Sequence, residues 1–422
     1  MSKRILSLLV IAFLILPFSA CKKEEKREVV SQKVEQSQKT KVVLWHSYRG
    51  TEKDSLDRII KSFNESQNEI LVESLPIPYD AFADKITAAI PRGHGPDVFI
   101  FAHDRIGDWA ISKIIEPLDL YVQEDPSIVD KFSDAHIKSL SYRGSLYGIP
   151  MAFKSTALFY NKKLVDKVPE TVSELIDMAK KATDVKKETY GLVYENGNFY
   201  FHSAWFHAFG ARVFNQENKP DFTSRESIES FKFLTHLLKQ KIMPEEITST
   251  LVTSLFNQNK AAFVINGPWF LGEIEKGVDF GVALLPILDK KASPTIKEER
   301  RLMPFLTVEA IIMSAKSEHK KEAFKLIKYI TDDNQAMIRL KEGNQTVANI
   351  KLYERDGVRR DPIIMAFFEQ QKYSIPMENT PEMRMIWTPI QMAISKFIRG
   401  ETNYQEILKN TNQEITNYIE RK

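Results

Sequence analysis

Residues 41–74 read KVVLWHSYRGTEKDSLDRIIKSFNESQNEILVES, and the spacing of the apolar residues changes twice within this stretch. The continuous apolar run Val42–Trp45 is typical of a buried strand, and a second β-type run covers Ile70–Ser74. Between them lie four apolar residues at helical spacing, Leu56, Ile59, Ile60 and Phe63. A strand, a helix and a strand in this order are typical of a sheet covered by helices, so we predict an α/β fold with mainly parallel strands.

The alternation of strands and helices continues after residue 74. Three apolar residues at helical spacing predict the next helix, Phe82, Ile86 and Ile90. The stretch Pro96–Phe101 has the pattern of a short buried strand, and it opens into a loop at Ala102–Arg105. Later in the chain we predict two buried strands, Ala261–Ile265 and Val308–Met313. We also predict a helix through residues 324–330 and a helical C-terminus from Arg384.

Two helices in the middle of the chain are marked by the S/T-x-x-E pattern of a capping box. Thr171 and Glu174 precede one helix-period segment, and Thr223 and Glu226 precede another. In such a box the hydroxyl of the first residue accepts a hydrogen bond from a free backbone N–H of the first helical turn. We therefore predict N-caps at Thr171 and Thr223.

Length and charge limit the classes of protein that the chain can represent. Its 422 residues are enough for two or three domains with a large core. Residues 1–20 hold two of the 59 Lys and Arg residues and none of the 56 Asp and Glu residues, so the remainder has 57 basic against 56 acidic residues, a net charge of +1. Because a nucleic-acid-binding surface usually carries a strong basic excess, nucleic acid is not expected as a partner.

A single cysteine, Cys21, follows a segment with the features of a secretory signal peptide. Met1–Ala20 has a basic start, an apolar run Ile5–Leu16 and small residues before the cysteine. About a dozen apolar residues are too few to cross a bilayer as a helix, which needs about 20. The junction resembles the lipobox of bacterial lipoproteins, although Phe18 stands where that motif usually has Leu.

The lipobox resemblance implies that the signal peptide 1–20 is removed and that Cys21 carries a lipid that anchors the protein to a membrane. An exported, periplasmic or cell-surface location follows. The alternative is a secreted protein whose cysteine has no role. Either way, no second thiol is present for a disulfide, a catalytic nucleophile or a zinc site. Residues 21–40 are charged and polar, so we expect a flexible tether there.

Four segments of the chain resemble the maltose/maltodextrin-binding proteins, which belong to family 1 of the extracellular solute-binding proteins of ABC sugar importers. The segments are GPDVFIFAHDR (Gly95–Arg105), ALFYNKKL (Ala157–Leu164), AAFVINGPW (Ala261–Trp269) and the run around Trp387. Their order and spacing fit that family across about residues 41–422. A single segment of this kind would be a weak signal, whereas four in register are a strong one.

The resemblance implies a two-lobe periplasmic-binding-protein fold, in which each lobe is a mainly parallel sheet flanked by helices and the ligand binds in the cleft between the lobes. The chain would cross the hinge between the lobes more than once. The first lobe would comprise residues 41–150 and 306–357, and the second residues 151–305 and 358–422. Open α/β sheets bind ligands at the carboxyl ends of their strands in any case.

Sugar recognition needs flat apolar faces for the C–H side of a pyranose ring and fixed polar groups for its hydroxyls. The resemblance places Trp269, Trp387 and Tyr200 at aromatic ligand-stacking positions. It places Asp104 and Arg105 at the positions of a hydroxyl-binding pair. Without the resemblance, Trp269 would be interpreted as a packing residue, and Asp104 with Arg105 as an ion pair of a surface loop.

Five further cleft positions depart from the maltose binders. Phe101 stands in place of a Trp, Lys154 and Asn198 in place of Glu, Gln391 in place of an Arg, and His46 begins the segment that replaces an acidic-basic contact pair. Because an ammonium donates hydrogen bonds where a carboxylate accepts them, hydroxyl recognition at Lys154 must differ. Lys154 is alternatively a solvated hinge residue. Because Lys154 and Arg105 are both positively charged, a phosphorylated or acidic sugar is an alternative ligand.

These features predict a sugar receptor and not an enzyme. It would close on a maltose- or oligosaccharide-like ligand and deliver it to the permease subunits of an ABC importer. We expect a monomer without cofactor, metal site or catalytic residue.

The alternatives are a secreted carbohydrate-acting enzyme and a receptor for another solute, such as a peptide, a polyamine or a metal ion. Glycoside hydrolysis typically needs two carboxyl groups that flank the scissile bond, and only Asp104 is placed in the predicted cleft. The sequence has no H-E-x-x-H, P-loop or G-x-S-x-G motif. His202 and His207 are five residues apart, which does not place them on one helical face as a metal pair, so we expect core or solvated histidines.

Overall fold

Residues 39–421 are described by a computed structural model of the chain. The predicted signal peptide 1–20, Cys21 and the predicted tether up to residue 38 lie outside these residues. The first strand begins at Thr40, the last residue of the predicted tether, and the Thr40 N–H donates a hydrogen bond to the Glu69 carbonyl at 2.8 Å. No helix within residues 39–421 combines the length and the apolar character needed to span a membrane.

The strands of this part of the chain fall into two large sheets and two short ribbons. In chain order they are β1 (Thr40–His46), β2 (Ile70–Pro76), β3 (Val98–Ala102), β4 (Ser141–Tyr142), β5 (Ser145–Leu146), β6 (Ile149–Lys154), β7 (Ala157–Asn161), β8 (Tyr190–Val193), β9 (Ala261–Asn266), β10 (Phe280–Ala283), β11 (Ile287–Leu288), β12 (Arg300–Arg301), β13 (Phe305–Met313) and β14 (Ile375–Pro376).

Helices separate most of these strands. In chain order they are α1 (Gly50–Ser66), α2 (Tyr79–Ala89), α3 (Ile106–Ile111), α4 (Asp119–Glu124), α5 (Asp134–Ser139), α6 (Val172–Ala182), α7 (Phe199–Ala208), α8 (Arg225–Lys239), α9 (Ser249–Asn257), α10 (Lys320–Ile330), α11 (Asp333–Lys341), α12 (Asp356–Arg359), α13 (Pro362–Gln370), α14 (Met383–Ile398) and α15 (Tyr404–Glu420).

Sheet I has the strand order β14-β13-β3-β1-β2, and β6 pairs with β13 beside this path. Strand β1 is parallel to β2 and β3, and β13 is parallel to β14. Strand β13 is antiparallel to β3 and β6. The strand–helix–strand unit predicted for residues 41–74 is confirmed as β1, α1 and β2.

Sheet II has the order β10-β7-β9-β8 and differs from the mainly parallel arrangement expected for it. Only β8 and β9 are parallel, whereas β7 is antiparallel to both of its neighbours. Helices α7 to α9 lie between β8 and β9 and provide the crossover that a parallel pair needs. Strand β7 follows β6 of sheet I directly, without a crossover helix between them, and it pairs antiparallel in sheet II.

Each sheet has its own hydrophobic core, and the two cores define two lobes. The four apolar residues predicted for one face of α1 are all buried in the core of sheet I. Strand β13 contributes to both cores, because Phe305 at its start packs in the core of sheet II and residues 308–313 pack in that of sheet I. The chain therefore passes between the lobes where β6 leads into β7 and again along β13.

One of the two predicted helix caps is confirmed. The Thr171 hydroxyl accepts a hydrogen bond from the Glu174 N–H at 3.3 Å. The cap predicted at Thr223 is wrong by one residue, since Ser224 is the N-cap of α8 and accepts from the Ser227 N–H at 3.3 Å. Two neighbouring hydroxyl residues offer the same capping chemistry, and only the backbone path selects between them.

Candidate functional site

Four aromatic residues form a connected row, the aromatic wall: Tyr200, Trp269, Phe305 and Trp387. The ring centroid of Tyr200 lies 6.1 Å from that of Trp269 and 6.2 Å from that of Phe305. The Phe305 ring lies 6.2 Å from the Trp387 ring. Phe305 is buried, whereas the other three are half-buried and leave surface for a ligand. The three predicted stacking residues thus come together, joined by Phe305, which the sequence did not single out.

Local backbone features place two rings of the wall. Trp269 lies in the short 3-10 helix Pro268–Glu273 that follows β9, and a Cβ atom on Gly267 would lie 2.1 Å from its ring. Only glycine therefore leaves room for the indole. Tyr200 lies in the first turn of α7, and the Asn198 Oδ1 caps this helix by accepting from the Tyr200 N–H at 3.0 Å. The Tyr200 hydroxyl is 3.4 Å from the Thr307 hydroxyl of β13.

A compact polar group lies beside the wall, and we call it the charged floor: Tyr48, Glu52, Lys154 and Glu309. The Lys154 Nζ lies 3.1 Å from the Glu309 Oε1 and 3.3 Å from the Glu52 Oε1. The Tyr48 hydroxyl donates to the Glu309 Oε2 at 2.5 Å. Side-chain exposure is only 15% for Lys154, 12% for Glu52 and 8% for Glu309. The interpretation of Lys154 as a solvated residue is therefore wrong.

The pKa shifts in the floor follow from burial and from charge pairing. Burial disfavours the ammonium of Lys154, but the carboxylates of Glu309 and Glu52 outweigh it and raise the Lys154 pKa. Burial, aided by the Glu309 charge, raises the pKa of Glu52 against the opposing effect of Lys154. Burial and then Glu309 raise the pKa of Tyr48, so its phenol stays protonated and donates.

Lys154 links the floor to the wall. Its Nζ lies 5.4 Å from the Tyr48 ring centroid in the first lobe and 6.0 Å from the Trp269 ring centroid in the second. Both distances are within the range of cation–π attraction. The floor and the wall therefore border the same space between the lobes.

The predicted hydroxyl-binding pair lies in the 3-10 turn directly after β3. The Asp104 Oδ2 is 3.5 Å from the Arg105 Nε, and Asp104 is only 8% exposed. The Asp104 Oδ1 and the Arg105 Nε have no hydrogen-bond partner within residues 39–421. Burial raises the pKa of Asp104 although Arg105 and His103 act against it. An unpartnered buried acceptor is what a sugar hydroxyl would satisfy.

Tyr79 is a cleft residue that the sequence reasoning missed. It begins α2, near the carboxyl end of β2, and its ring stacks on Phe101 at 5.3 Å while 58% of the residue stays exposed. Its phenol is nevertheless crowded: burial raises its pKa, with Asp104 and Tyr200 adding to the shift. Tyr79 is therefore near enough to Asp104 and Tyr200 for both to affect its pKa. Its place after a strand end was the available signal.

Two predicted ligand contacts are buried instead. His46 is fully enclosed, its Nδ1 accepts from the Tyr48 N–H at 3.1 Å, and burial lowers its pKa to about 4. It supports the turn that carries Tyr48. Phe101 is 4% exposed and packs between Tyr79 and the core residue Phe82, so it supports the Tyr79 ring from below. Family positions were carried over to these residues without information on burial, which is why the prediction failed.

The remaining predicted residue, Gln391, is exposed on α14 one helical turn after Trp387. Its side chain therefore lies on the same helix face as a wall residue. A ligand contact at Gln391 stays a prediction.

The two lobes also meet at the rim of the cleft. The Arg49 Nη2 lies 3.3 Å from the Glu273 Oε1, and Gly50 at the start of α1 approaches the Gly272 carbonyl. A shallow polar cavity beside this contact is lined by Arg49, Thr253 and Asn257, and it is separate from the wall and the floor. The two lobes therefore contact each other at two places, through Lys154 at the floor and through Arg49 and Glu273 at the rim.

The described part of the chain offers no group of three or more His, Cys, Asp and Glu side chains suited to a metal ion. His202 and His207 are core histidines: burial lowers the pKa of each to about 3, and His202 stacks on Phe231 at 5.0 Å. The two carboxylates of the floor, Glu52 and Glu309, both bind one lysine, whereas a glycosidase pair flanks the scissile bond.

Comparison with known proteins agrees with this architecture. Residues 49–337 match the family described as bacterial extracellular solute-binding protein. A maltotriose-binding protein of Pyrococcus abyssi is 31% identical over 385 residues, which cover 89% of this chain and 82% of that protein. A maltooligosaccharide ABC transporter solute-binding lipoprotein of Streptococcus pneumoniae is 22% identical over 336 residues, 75% of each chain.

Among solved structures, the maltotriose-binding protein of Thermus thermophilus bound with maltotriose superposes with a TM-score of 0.81. It is 27% identical, and the match covers 90% of this chain and all of that one. The two-lobe α/β fold predicted from the sequence is confirmed.

Proposed function

The chain belongs to the family of bacterial extracellular solute-binding proteins, and from this membership we propose that it is the maltooligosaccharide receptor of an ABC importer. Members of the family bind solutes, so the chain is a binding protein and not an enzyme. The family also assigns an exported location, periplasmic or at the cell surface. The proposal for the ligand is supported by relatives named for maltotriose and maltooligosaccharide.

One observation carries the proposal: half-buried rings and buried polar groups face the same space. Tyr200, Trp269 and Trp387 offer apolar faces for the C–H side of successive pyranose rings. Asp104 and Arg105 have buried polar atoms without partners, which the hydroxyls of a sugar would satisfy. A linear glucan offers both kinds of surface in alternation, the C–H faces of its rings and the hydroxyls at their edges.

We propose the lobe boundaries 41–150 with 306–357 and 151–305 with 358–422. The two hydrophobic cores put the first crossing a few residues after residue 150, between Met151, which packs with sheet I, and Ala157, which packs with sheet II. Ligand contacts from both lobes would favour the closed arrangement over an open one, because the open form offers contacts on one side only. The closed receptor would then deliver its sugar to the permease subunits.

We propose that Cys21 carries the lipid anchor, after removal of residues 1–20, and that the receptor is a monomer. Support for the anchor comes from the lipobox-like sequence and from a relative named as a lipoprotein. Replacing Cys21 by Ser should release the protein from membrane fractions of cells that express it. A protein that stayed membrane-bound and acylated after Cys21→Ser would show that the anchor lies elsewhere.

Calorimetry tests the ligand. The purified protein is titrated with maltose, maltotriose, maltotetraose, a galactooligosaccharide and cellobiose. We expect saturable binding of the maltooligosaccharides, together with a change in tryptophan fluorescence as Trp269 and Trp387 become covered. If only the galactooligosaccharide or only cellobiose bound, that sugar class would replace the maltooligosaccharides as the proposed ligand. No response to any of the five sugars would contradict the carbohydrate assignment.

A further inference from the structure

The charged floor and the neighbouring Arg339 together carry no net charge. The ammonium of Lys154 faces two carboxylates, those of Glu52 and Glu309. The guanidinium of Arg339 is buried nearby, donates to the Met151 carbonyl at 2.9 Å and interacts electrostatically with Glu309 and Tyr48. Two positive and two negative groups therefore cancel before any ligand arrives.

The hydrogen-bond donors of the floor are also nearly all used. An ammonium has three N–H donors, and the two carboxylates take two of those of Lys154. The Glu309 oxygens accept from Lys154 and from the Tyr48 hydroxyl. The Glu52 Oε1 accepts from Lys154 and from the Gln345 amide at 3.3 Å. What remains is one N–H donor on Lys154 and free lone pairs on the carboxylate oxygens, which together suit a hydroxyl group.

Arg105 is a second cation inside the cleft rim, and it too is paired, with Asp104. An anionic group in the cleft would therefore meet two cations that are already matched by three carboxylates. To form more than one hydrogen bond with Lys154 it would have to displace Glu52 or Glu309 and leave that carboxylate buried without its partner. Leaving a buried charge unpaired is strongly unfavourable.

We propose that the charged floor makes the cleft selective for uncharged glycans and rejects phosphorylated or carboxylated sugars. Lys154 donates a hydrogen bond to a sugar hydroxyl, and nearby carboxylates cancel its charge. Glu52 and Glu309 are these carboxylates, and they therefore set the selectivity. The proposal rests on the proposed sugar-binding function and narrows the class of its ligand.

The test compares maltotriose with maltotriose that carries one phosphate ester, each titrated by calorimetry at fixed ionic strength. The readout is the ratio of the two Kd values. We expect the wild-type protein to prefer neutral maltotriose at least tenfold. In Glu52→Gln, which keeps the shape of the side chain and removes its charge, we expect this ratio to fall at least fivefold, because one carboxylate, Glu309, then faces the two cations Lys154 and Arg339.

Glu342→Gln is the matched control. Glu342 is a carboxylate of the same lobe that pairs with Arg58 at the surface and is 45% exposed. Its removal changes the net charge by the same amount and should leave the Kd ratio within twofold of wild type. If Glu52→Gln does not fold, Glu309→Gln is measured in the same way, with the same expected fall.

A wild-type preference below tenfold, or a ratio that falls less than fivefold in the floor variant, would overturn the selectivity. An equal fall in the Glu342→Gln control would overturn it too, since the effect would then be one of net charge. These outcomes are distinct from failure of the proposed function, which would show as no binding of maltotriose by the wild-type protein.

Discussion

The aromatic wall and the charged floor lie side by side in the cleft, yet they differ in how they interact with their surroundings. The wall is neutral and half-buried, and its rings contact one another at 6.1–6.2 Å without directional bonds. The floor is nearly enclosed, and each of its charges depends on a partner. The wall can therefore lose a ring and keep the fold, whereas the floor cannot lose a charge without destabilising it.

The largest effect is expected from removing one charge of the floor. In Glu309→Ala, Lys154 and Tyr48 both lose their closest partner inside a buried site. Breaking a buried pair in this way costs about 3–5 kcal/mol in the free energy of unfolding. Denaturant unfolding monitored by circular dichroism measures it. The control Glu342→Ala, at an exposed pair, should cost at most about 1 kcal/mol. Equal costs in the two variants would show that the floor is not an interdependent buried site.

A smaller effect, and on binding instead of stability, is expected from the wall. Trp269→Ala removes a half-buried ring that contacts Tyr200 and lies near Lys154. Burying an aromatic side chain is worth about 1.5–3 kcal/mol, so the Kd for maltotriose should rise roughly 10- to 100-fold. Calorimetry measures the Kd, and Tyr418→Ala, at an exposed ring of α15, serves as the control and should leave it unchanged. A Trp269→Ala protein that bound maltotriose as tightly as wild type would remove the wall from the site.

Asp104 is expected to separate stability from binding. Because burial raises its pKa, the native state holds a proton that the unfolded chain has released above about pH 4. The contribution of Asp104 to stability therefore falls as pH rises through the window between the unfolded and the folded pKa. Asn does not ionise, so Asp104→Asn avoids this decrease in the free energy of unfolding. The variant should be more stable than wild type at pH 7, and the two proteins should become equally stable toward pH 3.5.

The same Asp104→Asn variant should bind maltotriose roughly tenfold more weakly, since a charge-assisted hydrogen bond becomes a neutral one worth about 1.4 kcal/mol less. Thermal unfolding between pH 3.5 and 7 and calorimetry at pH 7 measure the two effects. A variant that is less stable than wild type at pH 7 would mean that Asp104 is held as a favourable ion pair with Arg105.

The smallest effect is expected at the rim. The Arg49 side chain is 79% exposed in its ion pair with Glu273, so the pair should contribute about 0–1 kcal/mol to closure. Arg49→Gln should change the Kd for maltotriose less than fivefold, and the change should vanish at 1 M salt, where exposed charges are screened. A larger effect that persists at high salt would make the rim contact part of the binding site.

Much of the fold was accessible from the sequence because the signals were local. The apolar spacing around β1, α1 and β2 predicted these elements within a few residues of their ends. The wall residues Tyr200, Trp269 and Trp387 were found through the resemblance to the maltose/maltodextrin-binding proteins and not through a local pattern. Phe305 was missed because the predicted strand began at Val308, three residues after β13 begins.

The floor was accessible only in part. Lys154 was noted as a departure from the family, but its charge could not be interpreted without its partners. Glu52 lies 102 residues before Lys154, and Tyr48 lies 261 residues before Glu309. No local pattern connects residues at such separations. The burial of His46 could not be predicted from the sequence either. Its position suggested a ligand contact, but its side chain lies in the core.

The amino-acid sequence alone established the α/β class and the order of the elements, because each of these depends on neighbours within a few residues. The three-dimensional packing established the direction of the strands in sheet II, the burial of His46 and Phe101, and the compensation of Lys154 by two carboxylates. These features depend on contacts between distant segments, and the energy of a charge is set by the groups that surround it after folding.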